Sequence, residues 1–190
     1  MNKVEPIRDA DKVQDVLDAL RKKDMRGYVL FMTGIHTGLR ISDLLTLKVR
    51  DVKDREYISV HEKKTGKERR FTIHKDLKKV YKEYTNGKED YEYLFKSRQG
   101  KNNPISRMRA YQIIKGVASQ VGLEKIATHS MRKTFGYFIY QQSKDLAAIK
   151  EMLNHSDISH TLRYIGVVQE KTDRLISQLT FKKKRGEDSE

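Results

Sequence analysis

The residues that could do chemistry gather in one stretch of this chain, between Thr128 and Tyr164. His129 and Arg132 are three residues apart, so on a helix they share a face. His155 follows an apolar run with helical spacing, and Tyr164 comes nine residues after it. Two imidazoles, a guanidinium and a phenol supply the proton carriers, phosphate donors and nucleophile that phosphoryl transfer uses. The stretch predicts a phosphoryl-transfer site, and an upstream arginine would strengthen that prediction.

Such an arginine is Arg40, which closes the tetrapeptide Thr37–Arg40, with the sequence Thr-Gly-Leu-Arg. Together with His-x-x-Arg, a helix ending in histidine and a tyrosine nine residues on, it resembles the tyrosine recombinase (phage integrase) family. The likeness runs from about Val4 to Gly166, with the motifs in the family's order and spacing. Asn154 stands where the family usually has glycine, and Met131 where it usually has leucine. Both are expected to be tolerated, because Asn suits a left-handed helix cap and Met conserves the volume of Leu.

The resemblance implies a reaction and assigns a role to each of these residues. Tyr164 is the implied nucleophile, and its phenol, with a reference pKa of about 10, must lose its proton during attack. Arg40 and Arg132 each offer a planar fork of donors to the phosphate oxygens. His155 donates to the same oxygens, while His129 orients Tyr164 or helps to move its proton. The implied intermediate is a 3′-phosphotyrosine, which conserves the bond energy, so that strands are rejoined without ATP.

A sixth residue is assigned on a predicted β-hairpin. Residues 56–61 and 69–74 alternate around a basic, glycine-containing turn, Lys63-Lys64-Thr65-Gly66-Lys67. In the family a lysine on this hairpin reaches the scissile phosphate, and the lysine before Thr-Gly matches best. The resemblance therefore assigns the protonation of the departing 5′ oxygen to Lys64, with Lys63 and Lys67 as rivals. A lysine-rich turn without such a role would simply be solvated.

The elements that position these residues are predicted to be mostly helices. Apolar periodicity predicts helices over about residues 9–24, 28–35, 77–84, 107–121, 130–139 and 169–179, with a third short strand at 91–96. The expected fold class is mainly α with a small antiparallel β-sheet (α+β), resembling the family's catalytic domain. Arg40, flanked by core, is expected to point into a polar cleft, and the alternative is a structural salt bridge with Asp43 or another acid. The remaining histidines match no position in the pattern and are interpreted as structural: His36, His61, His74 and His160.

Three segments are expected. Residues 1–168 form the catalytic domain, residues 169–181 a C-terminal helix, and residues 182–190 a disordered charged tail. An apolar stripe on the C-terminal helix is expected to dock onto a neighbouring protomer, as family members often do, and packing on its own domain is the alternative. Only 39 residues precede Arg40, so the separate N-terminal DNA-binding domain typical of the family is expected to be missing, either by excision or because the protein is naturally short.

The composition indicates which class of partner the protein binds. The 40 Lys and Arg residues against 26 Asp and Glu give a net charge of +14, of which the last ten residues contribute only +1. A folded body with a charge of +13 favours a polyanion such as double-stranded DNA, although a merely solubilising surface is the alternative. The absence of cysteine excludes a disulfide framework and a thiolate metal site. The polar N-terminus and the lack of an apolar span predict a cytoplasmic protein that contacts no membrane.

No cofactor is expected, because no carboxylate cluster suggests magnesium and two separated histidines make a poor zinc site. The leading function is site-specific recombination of DNA (integration, excision or inversion) by a protein that is monomeric when free and tetrameric on DNA. A type IB topoisomerase-like nicking and closing enzyme is a second hypothesis. A DNA-binding regulator that has lost catalysis is a third, which the intact site residues disfavour.

Overall fold

The computed structural model describes residues 4–62, 66 and 68–179. Nine α-helices, one short 3₁₀-helix (Val49–Asp51) and one two-stranded antiparallel sheet account for the regular structure of these residues. In chain order the elements are α1 (Ala10–Lys23), α2 (Met25–Thr37), α3 (Ile41–Leu44), β1 (Tyr57–His61), β2 (Glu68–Thr72), α4 (Lys75–Thr85), α5 (Arg107–Gln120), α6 (Thr128–Ser143), α7 (Leu146–Met152), α8 (Ile158–Tyr164) and α9 (Val167–Ser177). The predicted class, mainly α with a small antiparallel sheet, is confirmed.

The main core is built around α2. Every residue from Tyr28 to Gly34 is buried, as expected of a helix that is apolar on all sides. Helices α1, α4, α5 and α6 pack around it. The C-terminal end of α2 leads directly to Arg40, so a buried helix at the centre of the core fixes the backbone position of this arginine.

The predicted hairpin is present. Its two strands pair with Tyr57 opposite Thr72 and His61 opposite Glu68. Ile58 and Val60 point into the main core from β1. The chain reverses between His61 and Glu68, where the predicted lysine-rich turn lies largely outside the described residues.

The prediction of a third strand at residues 91–96 is wrong. This segment contributes only two isolated bridges, one between Lys48 and Tyr93 and one between Lys96 and Pro104. The Leu94 amide donates to the carbonyl of Leu47, in the loop after α3, at 2.8 Å. The segment is therefore held by the loop that follows α3 and does not extend the β1–β2 sheet.

Helices α7 and α8 rest on a second, smaller apolar cluster. Ile149, Leu153 and Ile165 are fully buried there, and Phe135 and Tyr164 pack against them. Between the two helices, Asn154 adopts a positive φ of 46°. The left-handed conformation predicted for this asparagine is thus confirmed, and it lets the chain turn sharply before His155.

Candidate active site

Arg40 is positioned by the turn between α2 and α3. Gly38 ends α2 with a φ of 63° and donates its amide to the Gly34 carbonyl at 3.0 Å. A Cβ atom at Gly38 would lie 2.4 Å from the ring of Phe135, so both the backbone conformation and the packing require glycine. Arg40 follows two residues later with extended backbone and directs its guanidinium to Glu62, at 2.9 Å.

Arg132 joins two helix ends. Arg132 is only 3% exposed. Its guanidinium donates to the Gly38 carbonyl at 2.6 Å and to the Leu153 carbonyl. The first carbonyl belongs to the cap of α2, and the second follows α7. Because arginine presents several donors in a fixed plane, one side chain can hold both ends and still contribute charge to the cleft beside them.

His155 has a hydrogen-bond pattern that identifies its neutral tautomer. The hydroxyl of Thr161 donates to the Asp157 carbonyl at 3.0 Å, and the same Thr161 oxygen lies 3.1 Å from Nδ1 of His155. Since a hydroxyl has a single proton, the Nδ1–H of His155 must be the donor in the second contact. In the neutral ring, Nε2 is then unprotonated and is able to accept a proton.

Burial, followed by the positive charges of Arg132, His160 and Arg40, lowers the pKa of His155 to about 4. This imidazole is therefore neutral at pH 7, in the tautomer just described. A neutral ring close to several cations is suited to taking up a proton only when an anion arrives to stabilise the charged form.

Tyr164 ends α8 with its ring against two imidazoles. The His155 ring meets it at a centroid distance of 4.8 Å and an angle of 80°, and the His160 ring stacks at 6.3 Å. Burial raises the pKa of the Tyr164 phenol, while the charge and hydrogen bond of Arg132 oppose this rise. The phenol therefore remains protonated in the resting site, so its use as a nucleophile requires a proton acceptor.

These side chains line one cleft of about 420 Å³. The lining residues are Arg40, His129, Arg132, Asn154, His155, Ser156, His160 and Tyr164. Five of the six residues predicted from the sequence are thus brought together from α2–α3, α6 and α7–α8. The sixth, Lys64, lies outside the described residues. His129 is the second residue of α6. Its pKa is lowered mainly by burial, and further by the positive charges of Lys133, Arg132 and Arg40.

Three neighbours of the cleft were not predicted to belong to the site. His160 was interpreted as structural, yet it lines the cleft, and its position four residues before Tyr164 on a helix could have indicated this. Lys133 places its ammonium 5.1 Å from the centre of the Tyr164 ring. Glu62 is buried and pairs with Arg40; no pattern in the sequence distinguishes this acid from the many exposed ones.

The described residues contain no helix that is both long enough and apolar enough to span a membrane. They also contain no group of three or more His, Asp or Glu side chains arranged to hold a metal ion.

The sequence model of the family described as "Phage integrase family" matches residues 8–171 of this chain. A probable integrase/recombinase of Bacillus subtilis (strain 168), YoeC, is 46% identical over 172 residues, covering 90% of this chain and 94% of that protein. Tyrosine recombinase XerA of Pyrococcus furiosus is 28% identical over 160 residues, covering 83% of this chain and 56% of the relative.

Among solved structures, the crystal structure of XerA recombinase superimposes with a TM-score of 0.73 at 20% identity. It covers 94% of this chain and 66% of the XerA chain. This likeness shows a shared fold. The chain thus spans nearly all of the Bacillus relative but little more than half of the archaeal one.

Proposed function

Since the chain belongs to the phage integrase family, we propose that it is the catalytic unit of a tyrosine-type site-specific recombinase that cleaves and rejoins double-stranded DNA. The observation that carries the proposal is the single cleft that Arg40, Arg132, His129 and His155 line together with Tyr164. The basic body of the protein supports a polyanionic substrate.

The two arginines are proposed to bind the scissile phosphate. A phosphodiester gains negative charge on its non-bridging oxygens as the nucleophile attacks, and preorganised charged donors stabilise that charge. Arg132 is already fixed by the Gly38 and Leu153 carbonyls, and Arg40 by Glu62. Neither guanidinium therefore has to reorganise extensively when the phosphate enters.

Tyr164 is proposed to attack phosphorus, forming the Tyr–O–P bond while the bond from phosphorus to the 5′ oxygen breaks. The proposed acceptor of the phenol proton is Nε2 of neutral His155, whose ring contacts the Tyr164 ring. The imidazolium formed in this way is a donor to the phosphate oxygens, the role that the resemblance assigns to His155. Lys64 is proposed to protonate the departing 5′ oxygen, and His129 to orient Tyr164 or to help move its proton.

The experiment that tests this function is the capture of covalent protein–DNA adducts. The protein is incubated with randomised DNA and with DNA that flanks its gene, and adducts are trapped by denaturation and sequenced. We expect a specific sequence to be enriched, with the protein attached to a 3′ phosphate. The absence of any adduct with either DNA would contradict catalysis and favour the silent regulator.

Plasmids with one or two copies of the enriched sequence separate a recombinase from a nicking and closing enzyme. Exchange of strands between two sites, with little relaxation of a one-site plasmid, is expected. Efficient relaxation of the one-site plasmid without exchange would instead support the topoisomerase-like alternative. The recombinase and integrase names of the relatives support the first outcome.

We further propose that α9 mediates self-association on DNA. Leu175, Ile176 and Leu179 are each about 60% exposed, so the other described residues of the domain leave an apolar stripe uncovered on α9 and the two residues that follow it. Short amphipathic helices need a surface to pack on, and a neighbouring protomer on the same DNA supplies one. The predicted docking of residues 169–181 in trans is therefore favoured over packing in cis.

Replacing Leu175 and Leu179 by glutamate tests this docking. We expect cleavage of a single-site suicide substrate to be close to wild type, because the stripe does not line the cleft. Recombination between two sites should fall at least about tenfold, because a charge in an apolar contact is costly to bury. Gln178→Glu, which adds one charge at an exposed position of the same segment, is the matched control. Normal two-site recombination by the double variant would contradict the proposal.

A further inference from the structure

Glu62 is a buried carboxylate beside the cleft. Its side chain has no exposed surface, and it contacts Arg40 at 2.9 Å and Arg69 at 3.4 Å. The side-chain amide of Asn154 also donates to it, at 3.1 Å. A carboxylate taken out of water is costly unless its oxygens are well paired, and here two guanidinium groups and an amide share the pairing.

The partners of Glu62 come from three separate parts of the site. Arg40 follows α2, Arg69 lies on β2, and Asn154 directly precedes His155. Arg69 also donates to the Met152 carbonyl at the end of α7, at 2.8 Å. One carboxylate therefore connects the first arginine of the site, the hairpin and the segment that carries His155.

The backbone of Glu62 has a second attachment. Its carbonyl accepts the amide of Gly66 at 2.8 Å and so closes the base of the turn between the two strands. Lys63 and Lys64 lie inside this turn in the sequence. The same residue therefore fixes Arg40 through its side chain and the start of the lysine-bearing turn through its backbone.

Electrostatics explains why an acid is useful at this position. Arg40, Arg69 and Arg132 would repel one another in a site without its phosphate, and a buried negative charge offsets part of that repulsion. Its charge also acts on Arg132, where it opposes the effect of burial on the guanidinium. The guanidinium of Arg40 is thus already held in place by Glu62 before the DNA phosphate binds.

We infer that Glu62 is a positioning residue of the strand-cleavage reaction, holding Arg40 directly and the His155 segment through Asn154. This inference rests on the proposed function. Glu62 itself does not touch the reacting atoms, so its loss should affect the rate of cleavage and not the binding of DNA. Removing a negative charge should, if anything, strengthen the attraction of phosphate.

The main test is Glu62→Gln, which keeps the shape of the side chain and removes its charge. We expect single-turnover cleavage of a suicide substrate to slow by about tenfold or more, since small misplacements of catalytic groups have large effects on rate. The dissociation constant for DNA should be unchanged or lower. Glu68→Gln is the matched control, because Glu68 is an exposed acid on the same hairpin and should behave as wild type.

Asn154→Gly is the second variant. Glycine adopts the φ of 46° without strain, so the turn before His155 is kept and only the amide donor to Glu62 is lost. We expect a severalfold slower cleavage with only a small change in melting temperature, because Glu62 keeps its two guanidinium partners. This variant tests the inference even if Glu62→Gln does not fold, and normal cleavage by Asn154→Gly would then overturn it.

Combining Glu62→Gln with Arg40→Lys measures how far the two residues act together. If Glu62 acts through Arg40, its substitution should add little to the slow cleavage of Arg40→Lys. Full additivity of the two effects would overturn the inference, as would wild-type cleavage by Glu62→Gln. A parallel loss of melting temperature, DNA binding and cleavage in Glu62→Gln would assign it a structural role only. Failure of the wild-type protein to form any adduct would instead count against the proposed function.

Discussion

Replacing Tyr164 by phenylalanine is expected to abolish the covalent protein–DNA complex and leave the fold intact. The change removes only the hydroxyl that would attack phosphorus, while the ring keeps its place against the apolar cluster of α7 and α8. Folding and DNA affinity should therefore stay close to wild type. The measurement is a denaturing gel of the reaction with a nicked suicide substrate, in which wild type gives a shifted band and Tyr164→Phe gives none.

Tyr140→Phe and Tyr137→Phe are the controls for this experiment, because both tyrosines lie on α6 and Tyr140 packs against the same cluster. The Tyr137 hydroxyl contacts Glu170 at 3.2 Å, so its removal is expected to have at most a small effect on stability. An adduct that persists in Tyr164→Phe would assign the nucleophile to another residue, and its loss in one of the two controls would identify which.

Arg40→Lys is expected to slow cleavage by about 10²–10³-fold while weakening DNA binding only slightly. Lysine keeps the charge but loses the planar pair of donors that matches the phosphate oxygens. The measurement is the single-turnover rate on the suicide substrate beside the dissociation constant for the same DNA. Arg21→Lys, at an exposed position of α1, is the control for a general effect of arginine replacement.

Arg132→Lys should be at least as slow but is harder to interpret. Arg132 also holds the Gly38 and Leu153 carbonyls, so its replacement leaves buried acceptors unsatisfied and should lower the melting temperature. Arg40→Lys is therefore the cleaner test of transition-state stabilisation. Wild-type rates for both lysine variants would make the arginines simple phosphate anchors.

The predictable part of the site is the part encoded by local spacing. The turn after α2 needs a glycine, which lies two residues before Arg40, and His129 and Arg132 lie in the first two turns of α6, so short motifs identify these residues. His155 and Tyr164 are related in the same way by the short α7–α8 connection. Their convergence in one cleft could not be derived from periodicity alone, and it was expected only because the motifs resemble those of a known family.

Long-range polar contacts were not predictable from the sequence. Glu62 looks like any acid at the end of a strand until Arg40, 22 residues before it, and Asn154, 92 residues after it, are seen to converge on it. The tautomer of His155 likewise depends on Thr161, whose hydroxyl proton is already committed to a backbone carbonyl. The partners of a buried acid and the tautomer of a histidine can be assigned only in the folded structure. Both depend on which hydrogen-bond donors are already bonded to other groups.

The two separate apolar clusters have a thermodynamic consequence for Tyr164, the proposed nucleophile. Helices α7 and α8 bury Ile149, Leu153 and Ile165 in a cluster of their own, apart from the extensive core around α2. Regions with fewer buried contacts open locally at a lower free-energy cost than the global unfolding of a domain. Arg132 spans the boundary, because it bonds to the cap of α2 and to the end of α7. A phosphate bound at Arg132, as proposed above, would therefore raise the local stability of the segment that carries Tyr164, so that substrate binding and ordering of this segment would be linked equilibria.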